Sequence, residues 1–547
     1  MKPWALVLTA IASAICTLLS SAPFGFGLAA FAAPMFLLLI ALHARSTRCA
    51  VLLIYVVQIP LWLWLHSWVA EVAFAGWIGL GLYLSAWAPL FVLLIRRVHA
   101  NAKISLVLSA PIIWVGLECL RGIIIFDGYP WYLAGTGIVD WPIVSIASAG
   151  SVWSASFLVV AIAAALATAK QVKRWTWMSL TIVCLFFFFQ GIQVDKQMGA
   201  QIEVAVIQTN VHQDNKVAWD WERQLVDVSG AIEMTIDSVL GGPVIPSLVV
   251  WPETMLPGSG FEVSPIDFSP WEDRFVPDWI WPEKIREVAK QLDTPILLGS
   301  QTHIDVEIKK DERGLWSDAS SIFNSAVLVF PSGETQRYDK IFLTPFGEKI
   351  PYVHLFTIVQ NWVRETFGAA MLFDLDPGGN PNRFTLACEG PHNTVSEITF
   401  ATPICFEDTV PFVVRDLIWV EGKRKAGALI NLSNDGWFGN NDGARLQHIR
   451  EARMRCIENM TPMVRAVNTG LSCSIDSRGN IQEVATVNGE RAIRQNAIMY
   501  AKVFEGTELP LSRFVGDWVA WLSLFGGILL VIRSTLKRSK ENGETGS

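Results

Sequence analysis

A cysteine at the end of an apolar run is followed almost at once by two carboxylates in the stretch TPICFEDTV, residues 402–410. Cys405 would act as a nucleophile only as a thiolate, because the neutral thiol attacks poorly. Negative charge on Glu407 and Asp408 raises the pKa of a neighbouring thiol. The stretch therefore holds either an inert buried thiol or a reactive one that a cation from elsewhere in the chain activates.

Two other polar residues complete a plausible reaction centre. Glu253 ends the apolar run SLVVWPE, and Lys340 begins the stretch KIFLTPFGE. A carboxylate can take the proton of a thiol, and an ammonium stabilises a thiolate and a developing oxyanion. Each residue alone has an ordinary reading, as a surface charge or a core thiol. Together they suggest a Glu, Lys and Cys site in which Lys340 supplies the missing cation.

The segments around these residues predict a layered α/β domain. Apolar, β-branched runs predict buried strands at 202–210, 247–253, 295–300, 325–331, 398–405 and 427–434. Helical spacing and charge predict helices at 221–240, 282–292, 410–420 and 444–459. Strands that alternate with helices are typical of an α/β fold, whose active sites tend to lie beyond the carboxyl ends of strands. Glu253 and Cys405 are the last residues of two of these runs, and Lys340 lies nine residues after the run at 325–331.

The composition is that of a membrane protein with a large soluble part. The chain has 547 residues, of which 52% are hydrophobic and 17% charged, and its mean hydropathy is +0.37. Because a spanning helix needs about 20 apolar residues, we predict eight spans, at 4–21, 25–43, 50–68, 73–95, 104–120, 143–169, 175–192 and 514–533. Lys2 and the SSA at 20–22 also fit a signal peptide, but the spans that follow favour a first transmembrane helix.

Basic loops predict the orientation of these spans. Besides Lys2, the basic clusters are HARSTR (43–48), RRVHANAK (96–103), KQVKR (170–174) and RSTLKRSK (533–540). All fall on one side of the membrane if the eight spans are real, and Lys and Arg accumulate on the cytoplasmic side. We therefore predict a membrane domain over 1–194, an extracytoplasmic catalytic domain over 195–513, and an eighth span with a cytoplasmic tail over 514–547.

Charge and motif content argue against several other functions. The formal net charge is −7, and the soluble part has no basic cluster interleaved with aromatic residues, so we expect no nucleic-acid partner. Neither HExxH nor CxxC occurs, so we expect no metal and no other cofactor. The sequence does not determine whether Cys388, Cys456 and Cys473 form disulfides, since pairing cannot be deduced from one sequence.

The order Glu, Lys, Cys in VVWPET, YDKIFLTPFGE and PICFED resembles the nitrilase superfamily. NLSNDGWFG (431–439) is similar to the segment after the catalytic cysteine of that superfamily. With seven spans before and one after, the chain resembles the apolipoprotein N-acyltransferase family. The landmarks of that family are matched by APFGFG (22–27), YPWYLAGT (129–136), QTNVHQDNKVAWD (208–220), QHIREARMRCIEN (447–459), VRAVNTGLS (464–472) and SRFVGDWVAW (512–521).

The resemblance implies an α-β-β-α sandwich inserted between the seventh and eighth helices of an eight-helix membrane domain. It also implies transfer of an acyl chain from a phospholipid, typically phosphatidylethanolamine, to the N-terminal diacylglyceryl-cysteine of an apolipoprotein. Glu253 would be the general base, Lys340 would stabilise the oxyanion, and Cys405 would carry the acyl thioester. The implied setting is the bacterial inner membrane, with a monomer whose catalytic domain faces the periplasm.

Other residues acquire expected roles through the same resemblance. Glu348 and Glu407 match supporting positions, and Phe406 stands where the family commonly has tyrosine. Aromatic residues predict a lid at the membrane interface in residues 259–284, and the apolar arm 352–363 would act likewise; ordinary packing between domains is the alternative for both. The residues that we group as substrate-binding or lid residues are Trp219, Trp279, Trp281 and Trp437.

Three other functions remain open from the sequence. A membrane-anchored amidase or nitrile hydrolase would share the Glu, Lys and Cys site but act on small soluble amides. A transporter would explain the spans but should place ionisable groups inside them, and Glu118 comes nearest to that. A catalytically silent homologue would keep only the binding of lipoproteins.

Overall fold

In the computed structural model, the chain divides into two compact units. One comprises Met1–Val194, Trp437–Asn459 and Leu509–Ser547, and we call it the helical unit; the other comprises Asp195–Gly436 and Met460–Glu508, and we call it the sheet unit. The structure describes residues 1–101, 104–193, 199–212, 219, 221–262, 280–311, 314–349, 351, 375–389 and 395–544.

Helices and strands are numbered here in chain order over the described residues. The helices are α1 (Pro3–Ser20), α2 (Gly27–His43), α3 (Thr47–Leu65), α4 (Val69–Val72), α5 (Phe74–Ser85), α6 (Trp87–Asn101), α7 (Leu106–Cys119), α8 (Ala147–Ala167), α9 (Arg174–Gly191), α10 (Trp221–Leu240), α11 (Ile280–Leu292), α12 (Pro411–Ile418), α13 (Asp442–Asn459), α14 (Ser512–Val515) and α15 (Trp518–Glu544). The strands are β1 (Gln201–Gln208), β2 (Leu248–Val250), β3 (Ile296–Ile304), β4 (Glu307–Asp311), β5 (Gly314–Asp318), β6 (Ser321–Val329), β7 (Thr335–Asp339), β8 (Phe384–Glu389), β9 (Val395–Ala401), β10 (Trp419–Val420), β11 (Lys423–Arg424), β12 (Ala428–Asn434), β13 (Met463–Asn468), β14 (Cys473–Ile475), β15 (Ile481–Val484), β16 (Thr486–Val487), β17 (Glu490–Arg491) and β18 (Ala497–Phe504).

The helical unit contains the predicted spans. Six helical segments are long and apolar enough to cross a membrane, counted over the described residues: Pro3–Ser20, Thr47–Leu65, Phe74–Ala100, Leu106–Asp127, Pro142–Ala167 and Trp518–Lys537. The predicted spans at 25–43 and 175–192 also fall on helices, α2 and α9, but α2 is a shorter apolar helix and α9 is not among the six. Helices long and apolar enough to span a membrane are therefore confirmed at six of the predicted positions, and the number eight remains a prediction.

Helix α13 belongs to the helical unit by its contacts, and the predicted domain bounds stay a prediction. We predicted one catalytic domain over 195–513, yet α13 packs within the helical unit. Its buried face is charged: Arg450 forms an ion pair with Asp140, and Arg453 Nη1 lies 2.5 Å from the same carboxylate. From sequence alone, a charged helix face is expected to be exposed to solvent. A guanidinium can be buried only beside a partner, and the sequence does not show that partner.

The sheet unit is built on one twelve-stranded sheet that branches at β1. Its order is β15-β14-β13-β12-β9-β8-β1-β2-β3-β6-β7, and β18 also pairs with β1. Strand β1 pairs with β2 in parallel and with β18 in antiparallel orientation, whereas its ladder to β8 is the single pair Gln201 and Glu389. The α/β fold predicted from the sequence is confirmed.

A hydrophobic core fixes the strands that precede the site. Helices α10 and α11 cover β1, β2, β3 and β6, with fully buried contacts from Val228, Ile285 and Val288. Trp251, which follows β2, lies in the same core and donates from Nε1 to Thr235 Oγ1 at 2.8 Å. Burial of so much apolar surface holds the end of β2 in place, and Glu253 comes two residues later.

Candidate active site

Glu253 lies in a tight turn that wraps around the backbone of β3. Gly299 N donates to Pro252 O at 3.1 Å, and Met255 N donates to Gly299 O at 2.9 Å. Thr254 adopts the left-handed region with φ +50°. A Cβ on Gly299 would lie 2.5 Å from Glu253 Cα, so only glycine permits this close approach. The turn places the Glu253 side chain in the interior, where the residue is 4% exposed.

Lys340 lies between two carboxylates. It directly follows β7, and its Nζ is 2.7 Å from Glu348 Oε2 and 3.8 Å from Glu253 Oε1. Burial by itself lowers the pKa of Lys340, but the Glu348 and Glu253 carboxylates outweigh burial and raise it above its usual range. Lys340 is therefore an ammonium whose side chain is itself shielded from solvent, at 1% exposure.

Asn324, a residue that the sequence analysis did not select, bridges the same two carboxylates. Its Nδ2 donates to Glu253 Oε1 at 2.8 Å and to Glu348 Oε1 at 2.9 Å. Glu348 Oε2 also accepts from Thr344 N at 2.8 Å. Burial raises the pKa of Glu348, but the Lys340 ammonium and these donors lower it below its ordinary value. A lone amide inside the apolar strand SIFNSAVLV was the available signal for Asn324.

Cys405 opens a 3-10 turn, Cys405–Thr409, with its backbone in the left-handed region at φ +49°. Such a conformation is uncommon for a residue with a side chain, and it recurs at active sites. The Asn434 backbone N–H donates to the thiol. Burial, and next the Glu253 carboxylate, raise the pKa of Cys405 well above its ordinary value, although Lys340 acts in the opposite direction. The resting thiol is therefore protonated, and its reaction requires a base.

Glu407 joins the turn of Cys405 to the segment after Lys340. Its Oε2 accepts from Ile404 N at 2.7 Å, and its Oε1 accepts from Ile341 N at 2.8 Å and Phe342 N at 2.9 Å. The hydroxyl of Tyr338 donates to the same carboxylate at 3.0 Å. These contacts make Glu407 a buried brace between two loops of the site.

Asp408 has its own cation, which corrects our expectation that Lys340 offsets both carboxylates beside Cys405. Asp408 forms an ion pair with Arg465 on β13, and both side chains are fully buried. Arg465 lies within the buried strand MVRAVN, between apolar neighbours and 57 residues farther along the chain. The sequence signal was a guanidinium in a buried strand, since such a group requires a carboxylate partner.

The titration of Glu407 predicts how stability depends on pH. Burial raises the pKa of Glu407 to about 7, from an ordinary value of 4.5. The folded state then keeps a proton that the unfolded chain has lost, so the contribution of this group is full below pH 4.5 and is lost as the pH rises to about 7. The loss over that window is roughly 3 kcal/mol. Thermal unfolding midpoints in detergent, followed by tryptophan fluorescence from pH 4.5 to 8, should fall for the wild type relative to Glu407→Gln. Parallel curves for the two proteins would contradict this assignment.

The remaining predicted residues lie in several places. Phe406 is buried and stacks on Phe342, with ring centroids 6.3 Å apart, so an apolar ring fills its position. Trp219 donates from Nε1 to Asp227 Oδ2 at 3.0 Å within the sheet unit. Trp437 belongs to the helical unit, where it is half-buried. The structure assigns none of them to the cluster around Lys340.

The predicted lid is only partly covered by the described residues. Trp281 is 6% exposed, lies in the core under α10, and donates to Gln224 Oε1 at 3.0 Å. Its ring thus packs inside the sheet unit, and its role as a lid residue stays a prediction. Trp279 and the arm 352–363 lie outside the described residues.

Metal and disulfide chemistry receive no support from the geometry. Over the described residues, no three His, Cys, Asp or Glu side chains are grouped so that they could hold a metal ion. The eight cysteines, all of which lie within the described ranges, are free thiols. Cys405 is therefore available as a thiol beside Glu253 and Lys340.

Comparison with known proteins finds a family match for the N-terminal helical part of the chain and another for the part that contains the sheet. Residues 13–165 match the apolipoprotein N-acyltransferase N-terminal domain, and residues 203–502 match the carbon-nitrogen hydrolase family. The apolipoprotein N-acyltransferase of Geobacter metallireducens is 29% identical over 473 residues, which cover 84% of this chain and 79% of that protein. The corresponding protein of Vibrio cholerae is 27% identical over 491 residues, covering 85% and 86%. Among solved structures, Nit3 of Saccharomyces cerevisiae, a member of the nitrilase superfamily, gives a TM-score of 0.33 at 17% identity, covering 57% of this chain and 93% of Nit3. The carbon-nitrogen hydrolase match covers more than half of the chain, so the chain belongs to that family. Within the family it groups with the apolipoprotein N-acyltransferases.

Proposed function

We propose that the protein transfers an acyl chain from a membrane phospholipid to the N-terminal amine of a diacylglyceryl-cysteine apolipoprotein, through a thioester on Cys405. The observation that carries the proposal is the joint occurrence, in one chain, of the acyltransferase N-terminal domain and a hydrolase domain that holds a half-buried thiol, a buried base and a buried cation. A soluble hydrolase needs only the second of these two parts.

In the proposed first half-reaction, Glu253, Lys340 and Cys405 act together on the lipid ester. The Glu253 carboxylate takes the Sγ proton as the sulfur attacks the ester carbonyl of the lipid, and the carbonyl electron pair moves to oxygen. The Lys340 ammonium stabilises this oxyanion, because a fixed charge in a dry site acts strongly on a developing one. The carbon-oxygen bond to glycerol then breaks, and the departing oxygen takes the proton from Glu253. The products are a lysophospholipid and the Cys405 thioester.

The second half-reaction uses the same groups in reverse. The α-amine of the acceptor has an ordinary pKa near 8, so much of it is already neutral at pH 7. Its nitrogen attacks the thioester carbonyl, Glu253 accepts the proton lost from nitrogen, and the carbon-sulfur bond breaks with return of that proton to Cys405. An amide forms, and the thiol is restored. Exclusion of water protects the thioester between the two steps.

We infer the setting of this chemistry from the spans and basic loops. The proposal is that eight spans hold the protein in the bacterial inner membrane, with the sheet unit facing the periplasm and the C-terminus in the cytoplasm. The proposed donor is phosphatidylethanolamine, and the proposed working form is a monomer. Basic residues at 43–48, 96–103 and 170–174 support this orientation.

The experiment that tests the function is detection of the thioester. Purified protein is incubated with phosphatidylethanolamine vesicles, and intact mass is measured before and after hydroxylamine, with peptide mapping of the adduct. We expect an added acyl mass on Cys405 that hydroxylamine removes, and no adduct on the Cys405→Ala variant. A synthetic diacylglyceryl lipopeptide should then discharge the acyl group and become N-acylated.

The alternatives give different outcomes. A membrane-anchored amidase would hydrolyse small amides and would discharge any adduct to water as fast as to the lipopeptide. A silent homologue would bind the lipopeptide without forming an adduct. Either result would overturn the proposed acyl transfer.

A further inference from the structure

We propose that Asn324 is the positioning residue that makes Glu253, and not Glu348, the proton acceptor for Cys405. The inference deepens the proposed function, on which it rests for the assignment of nucleophile and base. It starts from an uncommon arrangement, in which two buried carboxylates share one ammonium and one amide.

The amide of Asn324 is committed to the two carboxylates. The Nδ2 group has two hydrogens and donates to one oxygen of each, at 2.8 Å to Glu253 and 2.9 Å to Glu348. The other amide atom, Oδ1, is buried without a hydrogen bond to the described residues. An unsatisfied buried carbonyl is unfavourable, so the two acceptors, and not Oδ1, determine how the amide is oriented.

The backbone of Asn324 places this amide accurately. Asn324 lies in β6 between β3 and β7, opposite Gln301. Its carbonyl oxygen accepts from Lys340 N at 2.8 Å. One residue of the strand next to the sheet edge thus contacts the main chain of Lys340 and the side chains of both carboxylates.

The two carboxylates are not equivalent. Lys340 Nζ is 2.7 Å from Glu348 but 3.8 Å from Glu253, and Glu348 Oε2 also accepts from Thr344 N at 2.8 Å. Glu348 is therefore held as an anion by a charged donor and two neutral ones. Glu253 receives its 2.8 Å hydrogen bond from an amide, which does not release its proton. Glu253 is thus held in position by a neutral donor, and the proposal gives it the role of accepting the thiol proton.

Loss of the Asn324 amide would affect the proton affinity of Glu253 more than that of Glu348. Two carboxylates this close repel, and a lost donor raises the pKa of the group that it held in the charged form. Lys340 compensates Glu348 at 2.7 Å, so the effect falls mainly on Glu253. The pH at which the base becomes active should then move upward.

The test measures the pH dependence of Cys405 reactivity without any lipid. The full-length protein in detergent is treated with iodoacetamide between pH 5 and 9.5, and alkylation of Cys405 is followed by peptide mass spectrometry. We expect the acidic limb of the rate profile to move up by about one pH unit in Asn324→Ala, which is a tenfold loss at a pH on that limb. The shift should be larger in Asn324→Asp, which adds a third carboxylate. The matched control is Asn382→Ala, which removes an exposed amide that donates to Arg337 O at 3.0 Å.

A purely structural role would give another pattern. Rates that fall equally at every pH, with the limb unmoved, would overturn the proposal. Asn324→Ser keeps one donor and perturbs the fold least, so it decides the question with an intermediate shift if the larger changes prevent folding. In Glu253→Gln the limb itself should disappear. If the wild type shows the limb but forms no thioester with phospholipid, the proposed acyl transfer fails while the role of Asn324 stands.

Discussion

Lys340→Met should abolish thioester formation and destabilise the sheet unit. Lys340 is 1% exposed, and its removal leaves Glu253 and Glu348 buried together without their cation. Breaking a buried ion pair typically costs about 3–5 kcal/mol, and loss of one stabiliser of an oxyanion lowers a rate by roughly 10²–10³-fold. We expect a fall of at least this size in the rate of adduct formation, measured by intact mass.

The pH dependence of the Lys340→Met defect gives its cause. In the wild type the pKa of Glu348 is lowered, so its stabilising contribution is present above pH 4.5 and is lost as the pH falls. In the variant the same carboxylate loses its cation, so its pKa rises and protonation relieves the repulsion at low pH. The difference in unfolding temperature should therefore be largest at pH 7 or above and should shrink towards pH 5. Lys290→Met, at an exposed position of α11, is the control.

Glu253→Gln should distinguish two effects of Glu253, its action as a base and the effect of its negative charge on the Cys405 thiol. The glutamine carbonyl still accepts from Asn324, so the fold should persist, but the amide takes no proton from Cys405. We expect adduct formation at pH 7 to fall by about 10²–10⁴-fold, the usual contribution of a general base. The measurement is the rate of thioester formation with phosphatidylethanolamine.

The same substitution should ease ionisation of the thiol. After burial, the Glu253 carboxylate is the largest cause of the raised pKa of Cys405, and Glu253→Gln removes that charge. Alkylation by iodoacetamide above pH 9 should therefore be faster in the variant than in the wild type, although acyl transfer at pH 7 is slower. Equal alkylation in both proteins would show that Glu253 does not act on the thiol. Glu287→Gln, whose side chain is 60% exposed, is the matched control.

Local sequence pattern was sufficient to predict many of the helices and strands. The helix predicted at 221–240 has those bounds in α10, because its apolar face follows the helical period and packs on the sheet. The strands before Glu253 and Cys405 were predicted from continuous apolar runs, which short buried strands require. The membrane helices follow in the same way from length and hydropathy.

Only the tertiary structure decided which buried cation or amide contacts which carboxylate. Arg465 pairs with Asp408 across 57 residues of chain. Asn324 bridges Glu253, 71 residues before it, and Glu348, 24 residues after it. The residue types and spacing of this sequence determined that a carboxylate and a thiol end two predicted strands and that an ammonium lies in the segment between them. Which cation compensates which carboxylate depends on the pairing of strands distant in sequence, because buried charges interact over a few ångströms in space whatever their separation along the chain.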